Sequence, residues 1–127
     1  MKAIKNGVNL EKAKQVFEYC REIGITTQSS FIIGYPGETE DELKETVRFA
    51  FSLRANLLPF NGYFPQPDSE LYDTLVEKGW FVPPKTLKEW SRFEVGDVIQ
   101  FNFSKVPRKD LLVLHFYRHG LPFFWKV

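Results

Sequence analysis

The five residues Gly34, Tyr35, Pro36, Gly37 and Glu38, reading "GYPGE", concentrate what a ligand-binding turn needs. Two glycines leave no side chain between the backbone and a ligand, and Pro36 stiffens the loop. A helix predicted to begin after Thr39 aims its amino end, with its unpaired N–H groups, at the same place. The same residues also fit a tight strand-to-helix connection that needs glycine only for its backbone angles. No "GK[ST]" follows, so this is not a P-loop, and the three-glycine dinucleotide fingerprint is absent. His115 and His119 stand four apart on a predicted helix, where both rings could face one metal ion. Phe116 occupies the place of the glutamate in "HExxH" and no third ligand is evident, which favours packing or surface histidines. Cys20 lies on an apolar helix stripe and reads as a small core residue rather than a reactive thiol. The acidic run "ETEDELKE" reads as a solvated helix start whose charges suit the helix dipole, not as a catalytic carboxylate pair.

These residues sit in a chain of 127 residues with 43% apolar content, enough for one modest core and one structural unit. Seventeen lysines and arginines nearly cancel 16 aspartates and glutamates, so no strong field steers the chain toward nucleic acid or anionic lipid. No apolar stretch approaches a membrane span, and the amino terminus lacks the apolar middle of a signal peptide, so a cytoplasmic protein is expected. One cysteine excludes an internal disulfide and cannot alone build a zinc or iron-sulfur site. Aromatic residues make up 17%, with 13 phenylalanines, so either the core is unusually aromatic or part of the surface is covered by another segment.

The elements that must position the turn follow from periodicity and punctuation. Leu10, Ala13, Val16, Phe17, Cys20 and Ile23 draw one stripe along a helix that Asn9 can cap and Gly24 can end. Residues 25–34, "ITTQSSFIIG", read as a strand buried on both faces. Thr39 and Glu42 form a capping box for a helix carrying Leu43, Val47, Ala50 and Phe51, ending near Arg54. Residues 57–64, "LLPFNGYF", predict a second strand, with Pro59 and Gly62 pointing to an edge position or a bulge. Asp68 or Ser69 can cap a short helix through Leu75 that Gly79 closes. Beyond Trp80 the pattern shifts: "TLKEWSRF" predicts one or two helical turns, "VIQFNF" a short strand, and residues 107–120 a terminal helix. The order helix, strand, helix, strand, helix makes a piece of a parallel α/β sheet or barrel. In such folds ligands gather at the carboxyl ends of the strands, where "GYPGE" lies.

Taken together, "IKNGVNLEKAKQVFEYCREIGITTQSSFIIGYPGETEDELKETVRFAFSL" and "FNGYFPQPDSELYDTLVEKGW" resemble the second half of the radical S-adenosylmethionine enzyme barrel, over about residues 5 to 80. The likeness is to the branch whose members often carry an upstream cobalamin-binding domain, including anaerobic magnesium-protoporphyrin monomethyl ester cyclase-like proteins and radical methyltransferases. The resemblance implies an α/β fold, the carboxyl-terminal half of a (β/α)6 barrel over residues 1–80, with a helical extension over residues 81–127. "FIIGYPGET" is similar to the end of the family's fifth strand, whose inward positions touch the adenosine of S-adenosylmethionine. Strand alternation back from Gly34 places Ile32, Ser30 and Gln28 on one face, taken as the barrel interior. By resemblance, Ser30, Ile32, Gly34 and Glu38 answer to the family's glycine-isoleucine-glycine-glutamate motif, with serine for the first glycine and one extra residue before the glutamate. Ile32 is the candidate adenine contact. Tyr35, Pro36 and Gly37 belong to the same loop, and "YFPQPDSELY" resembles the sixth-strand end, where Tyr63 and Phe64 approach the adenine edge.

The family's three-cysteine loop for the 4Fe-4S cluster has no counterpart here. Cluster ligation needs three thiolates, so the expectation is a carboxyl-terminal fragment that shapes the S-adenosylmethionine pocket while a missing amino-terminal barrel half holds the cluster; the resemblance to the cobalamin-associated branch makes cobalamin a candidate cofactor of the intact enzyme. Two barrel strands leave two bare edges and one uncovered face, which demand partners. The alternative is a half-barrel interaction module that forms homo-oligomers through those edges. A weaker third is a metal protein using His115 and His119.

Overall fold

Asn9 opens the first helix as expected: its side-chain oxygen accepts the Lys12 amide at 3.0 Å. The computed structural model describes residues 8–93 and 99–117. Helix α1 spans Leu10–Glu22, and Gly24 follows it with a φ of 77° that suits a residue without a β-carbon. Strand β1 is Phe31–Ile33, helix α2 Glu40–Ser52, strand β2 Phe60–Gly62 and helix α3 Glu70–Glu77. A one-turn helix α4, Leu87–Trp90, and helix α5, Arg108–Tyr117, complete the described elements. The capping box of Thr39 and Glu42 is formed, and Ser69, not Asp68, caps α3.

The strands pair in parallel, with Phe31 opposite Phe60, Ile32 opposite Asn61 and Ile33 opposite Gly62, giving a two-stranded sheet among the described residues. The strand predicted over residues 25–34 shrinks to three residues plus an isolated bridge between Gln28 and Leu57. Pro59 lies between that bridge and the ladder and has no N–H to donate, which interrupts the pairing. The strand is also not buried on both faces. Phe31 and Ile33 are buried, whereas Ile32 between them is 52% exposed. A continuous apolar run is the signature of double burial, but among the described residues the face that carries Ile32 stays half open.

That covered face holds the core. Phe31, Ile33 and Phe60 pack with Leu43, Ala50 and Leu53 of α2 and its following turn, and with Ile99, Val106 and Leu111 from the later chain. His115 is in this core as well, with its Nδ1 3.0 Å from the Phe60 carbonyl oxygen. The histidine on α5 is therefore a satisfied interior residue. His119, its proposed metal partner, lies outside the described residues, and among the described residues no cluster of metal-ligating side chains occurs.

The segment "VIQFNF" is not a strand where it is described: residues 99–103 have no ladder partner. It crosses instead as a strap. A β-carbon on Gly62 would lie 3.1 Å from Ile99 Cγ1 and 3.3 Å from its Cα, so the glycine read as a bulge is what lets the strap pass. The surplus aromatic residues form a second cluster along this strap. Phe64 meets Phe101 at 5.8 Å and Phe93 at 6.1 Å, and Phe81 meets Phe101 at 5.5 Å and Tyr72 at 5.7 Å. Edge-to-face geometry at these distances favours aromatic pairs. No described helix is long and apolar enough to cross a membrane.

Candidate functional site

The turn "GYPGE" is built from within. Gly34 has a φ of 76° and Gly37 one of 80°, angles that only glycine adopts at no cost. The two differ in surroundings: a β-carbon on Gly34 would meet Leu111 Cδ1 at 3.0 Å, while one on Gly37 would meet nothing within 4 Å. Glu38, 0% exposed, turns its carboxylate back so that Oε2 accepts the Gly34 N–H at 2.6 Å. Its other oxygen, Oε1, is buried with no hydrogen-bond partner among the described residues. Burial pushes the Glu38 carboxyl above the ordinary carboxylate range, against the lowering effect of the Gly34 N–H. The strap closes over the turn through two backbone bonds, Gly37 N–H to the Phe103 carbonyl at 3.1 Å and Lys105 N–H to the Glu38 carbonyl at 2.8 Å.

The amino end of α2 is likewise occupied by its own residues. The Glu42 carboxylate accepts the Thr39 N–H at 2.9 Å, and the Thr39 hydroxyl accepts the Glu42 N–H at 3.3 Å. Those bonds hold Glu42 below the ordinary carboxylate range. An anion at this helix end would have to displace them.

The open side of the molecule lies around β1. A groove of about 290 Å³ runs beside the strand, with Ser30, Ile32 and Tyr35 among its lining residues, Phe17 of α1 on one wall and Phe49 of α2 on another. Phe31 donates its N–H to Pro59 across the ladder, so by strand alternation the backbone groups of Ser30 and Ile32 point to the opposite edge, which no strand among the described residues pairs. Above the groove the Tyr35 hydroxyl is pushed up to about 12, by burial first and then by the carboxylates of Glu42 and Glu38. Helix α1 flanks the groove, yet none of its residues is buried, and Val16, Tyr19 and Ile23 stay exposed. Its apolar stripe is only half used.

The predicted site residues thus separate into three groups. Ser30, Ile32 and Tyr35 share the groove. Gly34 and Glu38 are buried beneath it, bonded to each other, and Pro36 and Gly37 form the outer bend. Tyr63 and Phe64 sit at the end of β2, where both meet the strap: Tyr63 faces Phe103 at 6.1 Å, and Phe64 faces Phe93 and Phe101. Burial raises the Tyr63 hydroxyl as well. Asn61, which the sequence reading did not single out, stands in register with Ile32. Counting back two residues from Tyr63 would have placed it.

Comparison with known proteins follows the same stretch of chain. Residues 1–50 match the model of the Radical SAM superfamily. The anaerobic magnesium-protoporphyrin IX monomethyl ester cyclase of Cereibacter sphaeroides is 27% identical over 108 residues, which covers 78% of this chain and 18% of that protein. The ribosomal protein uS12 methylthiotransferase RimO of Caldanaerobacter subterraneus is 23% identical over 122 residues, 95% of this chain and 28% of that protein. The RimO of Deinococcus radiodurans is 34% identical over 83 residues, 65% of this chain and 15% of that protein. The chain therefore spans 15% to 28% of the length of these relatives. No solved structure matches it. The turn and the start of the capped helix behind it thus lie in the stretch of this chain that is similar to the radical SAM superfamily.

Proposed function

We propose that this chain supplies one wall of an S-adenosylmethionine pocket, as the closing part of a radical SAM (β/α) barrel whose other strands pair with its open edges. One observation carries the reading: Ser30, Ile32 and Tyr35, assigned to the adenosyl side by family resemblance, line a single groove next to a strand edge that no described strand pairs. Ile32 offers half-exposed apolar surface to a purine face, and Ser30 brings a hydroxyl to the same side. Glu38 acts behind the wall, fixing the Gly34 backbone rather than touching a ligand.

The residues present do not fit the cluster. The one cysteine, Cys20, lies on α1, and a 4Fe-4S site takes three or four thiolates. In enzymes of this family the cluster supplies the electron that cleaves S-adenosylmethionine. In this reading that electron comes from a segment other than these residues, and the chain binds and orients the adenosyl group.

The test exchanges the matching segment of the Cereibacter sphaeroides cyclase for residues 8–117 and measures S-adenosylmethionine binding by equilibrium dialysis. Binding should be retained, and Ile32→Asp should weaken it by about tenfold or more, which corresponds to about 1.4 kcal/mol. Equal affinity with and without Ile32→Asp ends the reading.

A second reading, an interaction module that self-associates through β1, draws on the unpaired edge at Ser30 and Ile32 and on the exposed Val16, Tyr19 and Ile23 of α1. Sedimentation equilibrium separates the two. A chain that stays monomeric at every concentration removes the second reading, and a dimer that Ser30→Pro dissociates supports it.

A further inference from the structure

Residues 78–88, "KGWFVPPKTLK", run from the end of α3 into α4 and carry three lysines and no carboxylate, in a chain whose charges otherwise nearly cancel. Phe81 anchors the stretch: it is buried, and its ring meets those of Phe101 at 5.5 Å, Tyr72 at 5.7 Å and Trp90 at 6.3 Å. The apolar residues around it turn outward. Trp80 is 55% exposed, and Val82 at 79% and Leu87 at 88% are the most exposed large apolar side chains among the described residues. Glu89, the acid that follows, is turned back on the backbone, where its Oε2 accepts the N–H of Lys85 at 2.6 Å and that of Thr86 at 3.3 Å. Among the described residues Lys78, Lys85 and Lys88 form no ion pair, and the Lys78 ammonium lies 4.9 Å from the centre of the Trp80 ring.

The stretch projects rather than receives. Neither the groove beside β1 nor the one between α2 and α5 draws a lining residue from it. What meets it must therefore yield to apolar tips and carry negative charge beside them. A bilayer surface with anionic headgroups does both, whereas a folded acidic protein would need a cavity already shaped to these side chains. We propose that residues 78–88 are a membrane-surface docking loop for anionic lipid. Trp80, Val82 and Leu87 enter the boundary between headgroups and acyl chains, and Lys78, Lys85 and Lys88 stay at the phosphates on their long apolar stems. The attachment is peripheral and reversible, and it is independent of the adenosyl wall, none of whose residues lies in this stretch.

The test is co-sedimentation of the full chain with vesicles of phosphatidylcholine alone and of phosphatidylcholine and phosphatidylglycerol in a two-to-one ratio. The chain should bind the mixed vesicles about tenfold more tightly than the neutral ones, and raising the salt from about 0.1 M to about 1 M should erase that difference. Val82→Asp with Leu87→Asp, both at exposed positions, should weaken binding by about tenfold or more while the circular dichroism spectrum stays unchanged. Lys85→Glu with Lys88→Glu should remove the preference for phosphatidylglycerol. Brominated acyl chains should quench a part of the tryptophan emission that Trp80→Phe removes. No binding to the mixed vesicles, binding indifferent to both double substitutions, or quenching that Trp80→Phe leaves intact overturns the proposal. Binding to soluble polyglutamate with none to vesicles overturns it too, because the partner is then an acidic protein surface.

Discussion

The two faces of the small sheet are made by neighbouring residues and have opposite fates. Phe31, Ile33 and Phe60 face α2 and α5 and are buried, with Phe31 and Phe60 rings 5.8 Å apart. Ile32 and Asn61, one residue along and in register with each other, face a side on which Ile32 keeps half its surface exposed. The covered face holds the fold together, and the open face is where the proposed adenosyl wall would lie. An apolar side chain left exposed next to unpaired backbone is costly for a lone chain and useful for one that receives a ligand or a strand.

The sharpest way to break this contrast is to truncate one residue on each face. Phe60→Ala should cost about 3–5 kcal/mol, since it opens a cavity in the core, whereas Ile32→Ala should stay below about 1 kcal/mol. Urea unfolding of both variants measures the difference, and equal losses would erase the distinction between the faces.

Next in size is Glu38, which bridges the two. Glu38→Ala strands the buried Gly34 N–H and should cost about 1–3 kcal/mol. Its pH dependence has a definite sign. Burial raises the folded carboxyl above its unfolded value, so its contribution is fully present below the ordinary carboxylate range and is lost as pH rises through the raised value. Glu38→Gln should remove that slope in a series of melting curves; an unchanged slope would mean that Glu38 is not its source.

The two glycines of the turn make a finer comparison. Both have positive φ, which costs a side chain about 1–2 kcal/mol, but only at Gly34 does the new methyl also press on Leu111. Gly34→Ala should therefore destabilise more than Gly37→Ala, and the reverse order would place the crowding on the wrong side of the turn. The smallest expected effect is Ser30→Ala, within about 0.5 kcal/mol on stability because the residue is exposed, so any larger loss of ligand affinity in that variant reports on binding alone.

Much of this was legible in the sequence where local chemistry decides. Asn9, Thr39 and Ser69 cap their helices through their own side chains, and Gly24 and Gly79 follow helix ends at positive φ, so α1, α2 and α3 could be read from spacing and punctuation. Parallel pairing of the two strands followed from the helix between them. What escaped the sequence depends on distant neighbours. The alternation of "VIQFNF" suggested a strand, but Ile99 runs over Gly62 and the strap bonds to Gly37 and Glu38 instead of to a ladder. The sequence favours His115 as a packing or surface histidine, and it is indeed a packed one, but its partner, the carbonyl of Phe60 55 residues away, could not be read there. The apolar run at Phe31–Ile33 predicted double burial, and only the arrangement of helices reveals that Ile32 is left open.

The measurement closest to the central claim is photoaffinity mapping of the hybrid cyclase carrying residues 8–117, with an azido-adenosyl analogue of S-adenosylmethionine and peptide sequencing of the cross-link. The account predicts label on the peptide containing Ser30, Ile32 and Tyr35, competed away by unlabelled S-adenosylmethionine and diminished by Ile32→Asp. Competable label confined to peptides outside residues 8–117, with none on this segment, would contradict it.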